Sequence, residues 1–145
     1  MLGAAPRAEI DLSRLSDGRL ALKDLQAQGS GLTLSAQGGR SLFGGLTLKG
    51  KAQASNLAMA RLGAKGGAQV SWTADQGGAG KPWTLSFDGR GQGLATGYPA
   101  LDRLLGPTPR LAAQGGLGGG RLTLTKASLD GAALNATGQG QADFA

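Results

Sequence analysis

The chain lacks the residue types on which most active sites and metal centres depend. It contains no cysteine and no histidine among its 145 residues. Without cysteine there is no thiol catalysis, no disulfide and no cysteine-based metal site. Without histidine there is no histidine acid–base relay and no histidine ligand. Several of the nine carboxylates, such as Asp17, Asp88 and Asp130, precede glycine in predicted turns. We therefore expect a non-enzymatic protein with no metal and no cofactor.

Aromatic residues and long apolar runs are also scarce. Aromatics make up 4% of the chain, too few for the girdles of an outer-membrane barrel. No apolar run approaches the roughly 18 residues that a membrane-spanning helix needs. The net charge of +6 comes from 15 dispersed basic residues, and the closest group, Lys49 and Lys51, has no aromatic neighbour that could stack on a base. We interpret the charge as a solvated outer face and expect no nucleic-acid partner.

Glycine, in contrast, is abundant. The chain has 28 glycines and 5 prolines with no Gly-X-Y repeat, whereas ordinary domains contain about 7% glycine. Leucine, valine and alanine recur at every second position, the spacing of a strand with one apolar face, and Thr, Ser and Gln fill the alternate positions. The pattern predicts an all-β fold, an elongated antiparallel meander with a shallow apolar layer.

Glycine-rich pairs between the apolar runs are interpreted as turns. The predicted turns are Asp17-Gly18, Gly29–Gly31, Gly38-Gly39, Gly44-Gly45, Gly66-Gly67, Gly77-Gly78, Asp88-Gly89 and Asp130-Gly131. A further glycine-rich stretch, Gly115–Gly120, is interpreted as a flexible loop.

One segment follows a helical period instead. Leu101, Leu104 and Leu105 share one face of a helix, Pro99 suits its first turn and Gly106 its end. We predict one short helix near residues 99–105 inside a linker of residues 98–110, acting as a connector or as a cap on an open end of the sheet.

An internal repeat is also visible. Residues 19–38 align without gaps on residues 121–140, with the arginine, two leading leucines, a central glycine and a closing Gln-Gly in common. Each copy predicts a strand with a kink, a glycine turn and a second strand. Repeated units of this kind imply an extended sheet in which each unit packs against its neighbour.

The strand-and-turn phrases of the chain resemble those of the TamB/AsmA-like envelope proteins, most clearly in residues 101–111 and 120–134. The resemblance covers about residue 8 to the end. It implies a periplasmic β-groove, in a parent protein anchored in the inner membrane, that serves phospholipid transport between membranes or outer-membrane protein assembly with an Omp85-type barrel partner. The family's membrane anchor and C-terminal domain have no counterpart in residues 1–145, so we expect a single β-groove segment of a longer protein.

The resemblance also implies that the apolar face contacts phospholipid acyl chains. From the residues alone, the same side chains could equally form a closed core, as in a structural β-solenoid passenger or adhesin domain, and both interpretations stay open here. The residues predicted to line the groove are Leu20, Leu22, Leu32, Leu34, Leu46, Leu48, Val70, Trp72, Leu85, Phe87, Leu122, Leu124 and Leu134.

Overall fold

The computed structural model describes residues 7–16, 20–29, 31–41, 43–57 and 64–144. These residues form one antiparallel sheet of nine strands in chain order, with β1 and β9 as the outer strands, and one short helix between β6 and β7. The predicted all-β meander and its helix are therefore confirmed. The elements are β1 (Arg7–Arg14), β2 (Leu20–Gly29), β3 (Leu32–Arg40), β4 (Leu46–Ala54), β5 (Lys65–Gln76), β6 (Trp83–Ala95), α1 (Pro99–Leu105), β7 (Arg110–Gly118), β8 (Arg121–Asp130) and β9 (Asn135–Asp143).

The sheet has an apolar face and a polar face, because the strand registers bring like residues together. Three rows of cross-strand partners run through all nine strands with an apolar residue or glycine at every position, and we define them as the apolar face. The first row is Ala8, Ala27, Leu34, Ala52, Val70, Gly89, Leu111, Leu129 and Ala136. The second row is Ile10, Leu25, Ala36, Gly50, Trp72, Phe87, Ala113, Ala127 and Gly138. The third row is Leu12, Leu22, Gly38, Leu48, Ala74, Leu85, Gly115, Leu124 and Gly140.

Within the part of the chain that the structure describes, no second layer of secondary structure packs against the apolar face. Among the described residues, the buried apolar side chains are Ala36, Ala54 and Leu57, and no large side chain is fully buried. The strands therefore gain their stability from the backbone ladders and from cross-strand side-chain pairs. The leucine and aromatic side chains in these rows remain partly exposed to solvent.

Three of the predicted turns are wrong, since the glycines lie inside strands. Gly38-Gly39 belongs to β3, Gly66-Gly67 to β5 and Asp88-Gly89 to β6. The side chain of Leu48 occupies the space where a Cβ of Gly38 would stand, and Phe87 lies 3.3 Å from the corresponding point at Gly89. At Gly66 the backbone has φ +92° and the register shifts, so the glycine serves a β-bulge.

Other predicted turns are confirmed. Gly44-Gly45, Gly77-Gly78 and Asp130-Gly131 lie at the junctions β3–β4, β5–β6 and β8–β9, and Gly29 ends β2 while Gly31 precedes β3. The prediction at Asp17-Gly18 falls outside the described residues.

The interpretation of Gly115–Gly120 as a flexible loop is wrong for its first four residues. They belong to β7, and the turn to β8 consists of Gly119 and Gly120. Here Leu111, Ala113 and Gly115 alternate on the apolar face, but two of the three are too small to give a clear period-two signal. The predicted linker also ends earlier than expected, because Arg110 is already the first residue of β7.

The two copies of the internal repeat form equivalent hairpins, β2–β3 and β8–β9, and the predicted kinks are β-bulges. One extra residue, Lys23, interrupts the register of β2 with both of its neighbours. Thr125 does the same in β8, and its hydroxyl donates to the Gln114 carbonyl at 2.9 Å. The bulges fall at the same position of the aligned repeat. Bulges bend and twist a strand locally, so the sheet is expected to curve at the equivalent position of each repeat copy.

The helix α1 connects β6 to β7 at one end of the strands. Its last carbonyls, of Leu104 and Leu105, accept hydrogen bonds from the backbone N–H groups of Ala133 (2.9 Å) and Ala132 (3.0 Å) in the β8–β9 turn. Leu101 and Leu104 are exposed. These are the contacts of a connector tied to the neighbouring turn.

Candidate functional site: the apolar face

The structure places most of the predicted groove residues on one face. Leu34 and Val70 lie in the first apolar row, Trp72 and Phe87 in the second, and the other members in the third row or in the flanking rows on either side. The predicted residues on this face are Leu22, Leu32, Leu34, Leu46, Leu48, Val70, Trp72, Leu85, Phe87, Leu122 and Leu124.

Two further predicted residues lie where a strand begins. Leu134 immediately precedes β9 in the β8–β9 turn, where its carbonyl accepts from the Gly131 N–H at 2.7 Å, and its place on the apolar face stays a prediction. Leu20 is the first residue of β2, and its side chain lies outside the described part of the chain.

Several members of the apolar face were missed from the sequence. Ile10 and Leu12 on β1 are 59% and 66% exposed, and a period-two signal that includes Ala8 identifies them. Leu25 and Leu129 are harder to find. Simple alternation from Leu22 or Leu124 places each on the polar face, and only the extra residue of the bulge returns it to the apolar one.

Glycines keep the apolar face shallow. A Cβ added to Gly50 would stand 2.5–2.7 Å from three atoms of the Trp72 indole, so the ring lies over the glycine on the neighbouring strand. Leu48 covers Gly38 in the same way. Large side chains on this face lie flat over glycines instead of projecting away from the sheet. Space therefore remains above the apolar face.

A depression of about 340 Å³ opens on the apolar face across β5, β6, β7 and β8. The registers assign the side chains of Trp72, Leu85, Phe87, Leu122 and Leu124 to its surface. The polar residues around it contribute backbone, since their side chains alternate to the other face. A ligand here meets dispersion and hydrophobic contact without a directional polar partner.

Side chains on the polar face form hydrogen bonds between neighbouring strands. Thr73 and Ser86 share a hydrogen bond of 2.6 Å between their hydroxyls, and the Thr47 hydroxyl donates to the Asp75 carboxylate at 2.5 Å. A second depression of about 340 Å³ is bordered on this face by Ser35, Gln37, Lys49, Lys51, Ser71 and Thr73. The polar face is therefore the solvated side of the sheet.

Comparison with known proteins adds no relative. No protein-family model, no curated protein and no solved structure matches this chain. In the part of the chain that the structure describes, no helix has the length and apolar character to cross a membrane. The same residues contain no group of three or more acidic side chains placed to hold a metal ion.

Proposed function

We propose that this chain is a non-catalytic, lipid-conducting segment of a bacterial cell-envelope protein of the TamB/AsmA type, with phospholipid acyl chains held on its apolar face. The observation that carries the proposal is the continuity of the three apolar rows through all nine strands. Large exposed apolar surfaces on folded proteins mark interaction sites.

The dimensions of the apolar face fit an extended ligand. Eight gaps between nine strands, at about 4.8 Å each, make every row about 38 Å long. The three rows lie about 7 Å apart, which is two residues along a strand. A path of this shape accommodates hydrocarbon chains better than a compact ligand.

The chemistry of the face fits transport rather than tight storage. Apolar contact stabilises a ligand by about 25 cal/mol per Å² of buried surface without fixing its position. The rows contain no polar side chain that would have to lose a hydrogen bond when a chain slides past. An acyl chain can therefore move from strand to strand at nearly constant free energy.

The family resemblance supports the cellular setting. It implies a periplasmic segment of a parent protein anchored in the inner membrane, with a part in phospholipid transfer or in outer-membrane protein assembly with an Omp85-type barrel partner. Any such partner would contact other parts of the parent protein.

Photo-crosslinking tests the proposal. A benzoyl-phenylalanine replaces Leu48 or Leu124 on the apolar face, or the adjacent Thr47 or Thr123 on the polar face as matched controls, since each pair differs by one residue along one strand. The variants are irradiated with vesicles of phosphatidylethanolamine and phosphatidylglycerol, and adducts are identified by mass spectrometry. We expect lipid adducts at Leu48 and Leu124 and few at the threonines.

Two outcomes would overturn the proposal. Equal lipid adducts on both faces would mean nonspecific association with the vesicles. Adducts between two protein chains from Leu48 and Leu124, without lipid, would mean that a second copy covers the apolar face, and a closed structural core would then be the better interpretation.

A further inference from the structure

Helix α1 presents apolar side chains to solvent. Tyr98 at its N-cap is 69% exposed, Leu101 45% and Leu104 38%, and none of the seven residues of the helix is buried. Residues three apart share one side of a helix, so Leu101 and Leu104 form a strip that Tyr98 continues. We define these three residues as the α1 patch.

Polar contacts at the ends of α1, rather than packing of the α1 patch, hold the helix in place. A helix of seven residues is marginal alone in water and normally depends on burial of an apolar side. Here the N–H and hydroxyl of Thr96 donate to the Asp102 carboxylate at 2.6 and 2.7 Å, and the last carbonyls of the helix accept from the β8–β9 turn. The α1 patch is thereby presented on a fixed support with its apolar surface exposed.

The C-terminal end of α1 lies on the apolar side of the sheet, beyond the first row. A Cβ added to Gly131, two residues after Leu129 of that row, would stand 2.5 Å from the Leu104 carbonyl oxygen. The segment that follows the helix lies on the same side. There the Pro109 ring covers Gly91, which the register places on the apolar face, at 2.8–3.0 Å from the position of an added Cβ. Helix α1 therefore adjoins the end of the apolar face.

The residues of α1 are distributed as in a helix at a bilayer interface. The leucines lie on one side, and Arg103, two residues after Leu101, lies on the other. Leucines suit the boundary with the acyl chains, tyrosine the level of the head groups, and arginine the polar side of such a helix. A bilayer surface would cover the α1 patch and keep Arg103 among the head groups.

We propose that the α1 patch docks on the surface of a phospholipid bilayer, so that acyl chains pass between the bilayer and the first row at the end of the apolar face. The inference rests on the proposed function and specifies where its lipid enters or leaves. A docked bilayer would adjoin the apolar face directly, and a chain would cross from one to the other without an intervening polar surface.

Two assays on the complete 145-residue chain separate docking from lipid binding. Docking is measured by flotation with vesicles of phosphatidylethanolamine and phosphatidylglycerol. Lipid binding is measured with dihexanoyl-phosphatidylcholine below its micellar concentration. Its readout is the fluorescence of Trp72 and Trp83, which lie on the apolar face.

Paired variants locate the docking surface. In Leu101→Gln/Leu104→Gln, binding to vesicles should weaken about tenfold, because the two leucines no longer transfer apolar surface into the bilayer. Binding of the short-chain lipid should not change. Phe43→Gln is the matched control, since Phe43 is 82% exposed in the β3–β4 turn at the opposite end of the strands, and this variant should float like the wild type. Far-UV circular dichroism and Tm check that all variants stay folded.

The outcomes distinguish the two proposals. If the wild type binds neither the short-chain lipid nor vesicles, the proposed function fails and docking fails with it. If the short-chain lipid binds but the double variant floats like the wild type, or Phe43→Gln weakens flotation equally, lipid binding stands and docking through α1 is refuted. If sedimentation shows a dimer that only the double variant loses, a second copy covers the α1 patch and the bilayer assignment is wrong.

Discussion

Replacing Gly50 by alanine tests whether glycines on the apolar face make room for large neighbours. The new Cβ would stand 2.5–2.7 Å from three indole atoms of Trp72, so the ring must move off the strand. Such overpacking costs about 1–3 kcal/mol, while alanine in place of a strand glycine otherwise gains about 0.5–1 kcal/mol. We expect Gly50→Ala to be destabilised overall.

Gly39→Ala is the matched control, because Gly39 lies in the adjacent strand β3 and a Cβ there meets no atom within 4 Å. The two variants should differ by the overpacking cost, about 2 kcal/mol, which separates their Tm values by about 4–8 °C in thermal unfolding followed by circular dichroism. Adding Trp72→Leu to Gly50→Ala should recover part of the loss. Equal Tm values for Gly50→Ala and Gly39→Ala would refute the argument.

Three further changes have definite expected outcomes. The N–H and hydroxyl of Thr96 donate to Asp102 at 2.6 and 2.7 Å and hold the pKa of its carboxyl below the usual value. The stabilisation is therefore complete above about pH 5 and is lost as the pH falls through the lowered pKa, so the Tm difference between wild type and Asp102→Ala should shrink below about pH 4. Gly66→Ala, at φ +92°, should lower the free energy of unfolding by about 1–3 kcal/mol in urea titration, and an unchanged midpoint would contradict the strained bulge. Deleting Lys23, the bulge residue, should leave a folded sheet by circular dichroism, whereas deleting Lys49 from the regular strand β4 should abolish folding; equal outcomes would refute the register argument.

The fold class could be predicted from the sequence because alternation is a local signal. Leu46 and Leu48, with Thr47 between them, predict β4 without any knowledge of its partner strands. Whether a glycine pair forms a turn or continues a strand, in contrast, is not decided by the neighbouring sequence. Gly38-Gly39 continues β3 because Leu48 from the next strand lies over Gly38, and nothing within residues 38–39 distinguishes this pair from the turn at Gly44-Gly45.

The candidate site was predictable to a similar degree, and its errors also have physical causes. Period two identified residues such as Leu34 and Phe87 on the apolar face. Leu25 and Leu129 were missed because only the extra residue of a bulge, which simple alternation does not reveal, returns each to the apolar face.

The two bulges show how a bent sheet can keep an unbroken apolar face. Without Lys23, the residues on either side of it would still alternate correctly, with Leu22 and Leu25 on the apolar face and Asp24 between them on the polar face. The same holds for Thr125. Each extra residue therefore adds bend and twist while the apolar rows continue past it. A bulge at the same position in both repeat copies is therefore expected if each copy supplies curvature to the sheet.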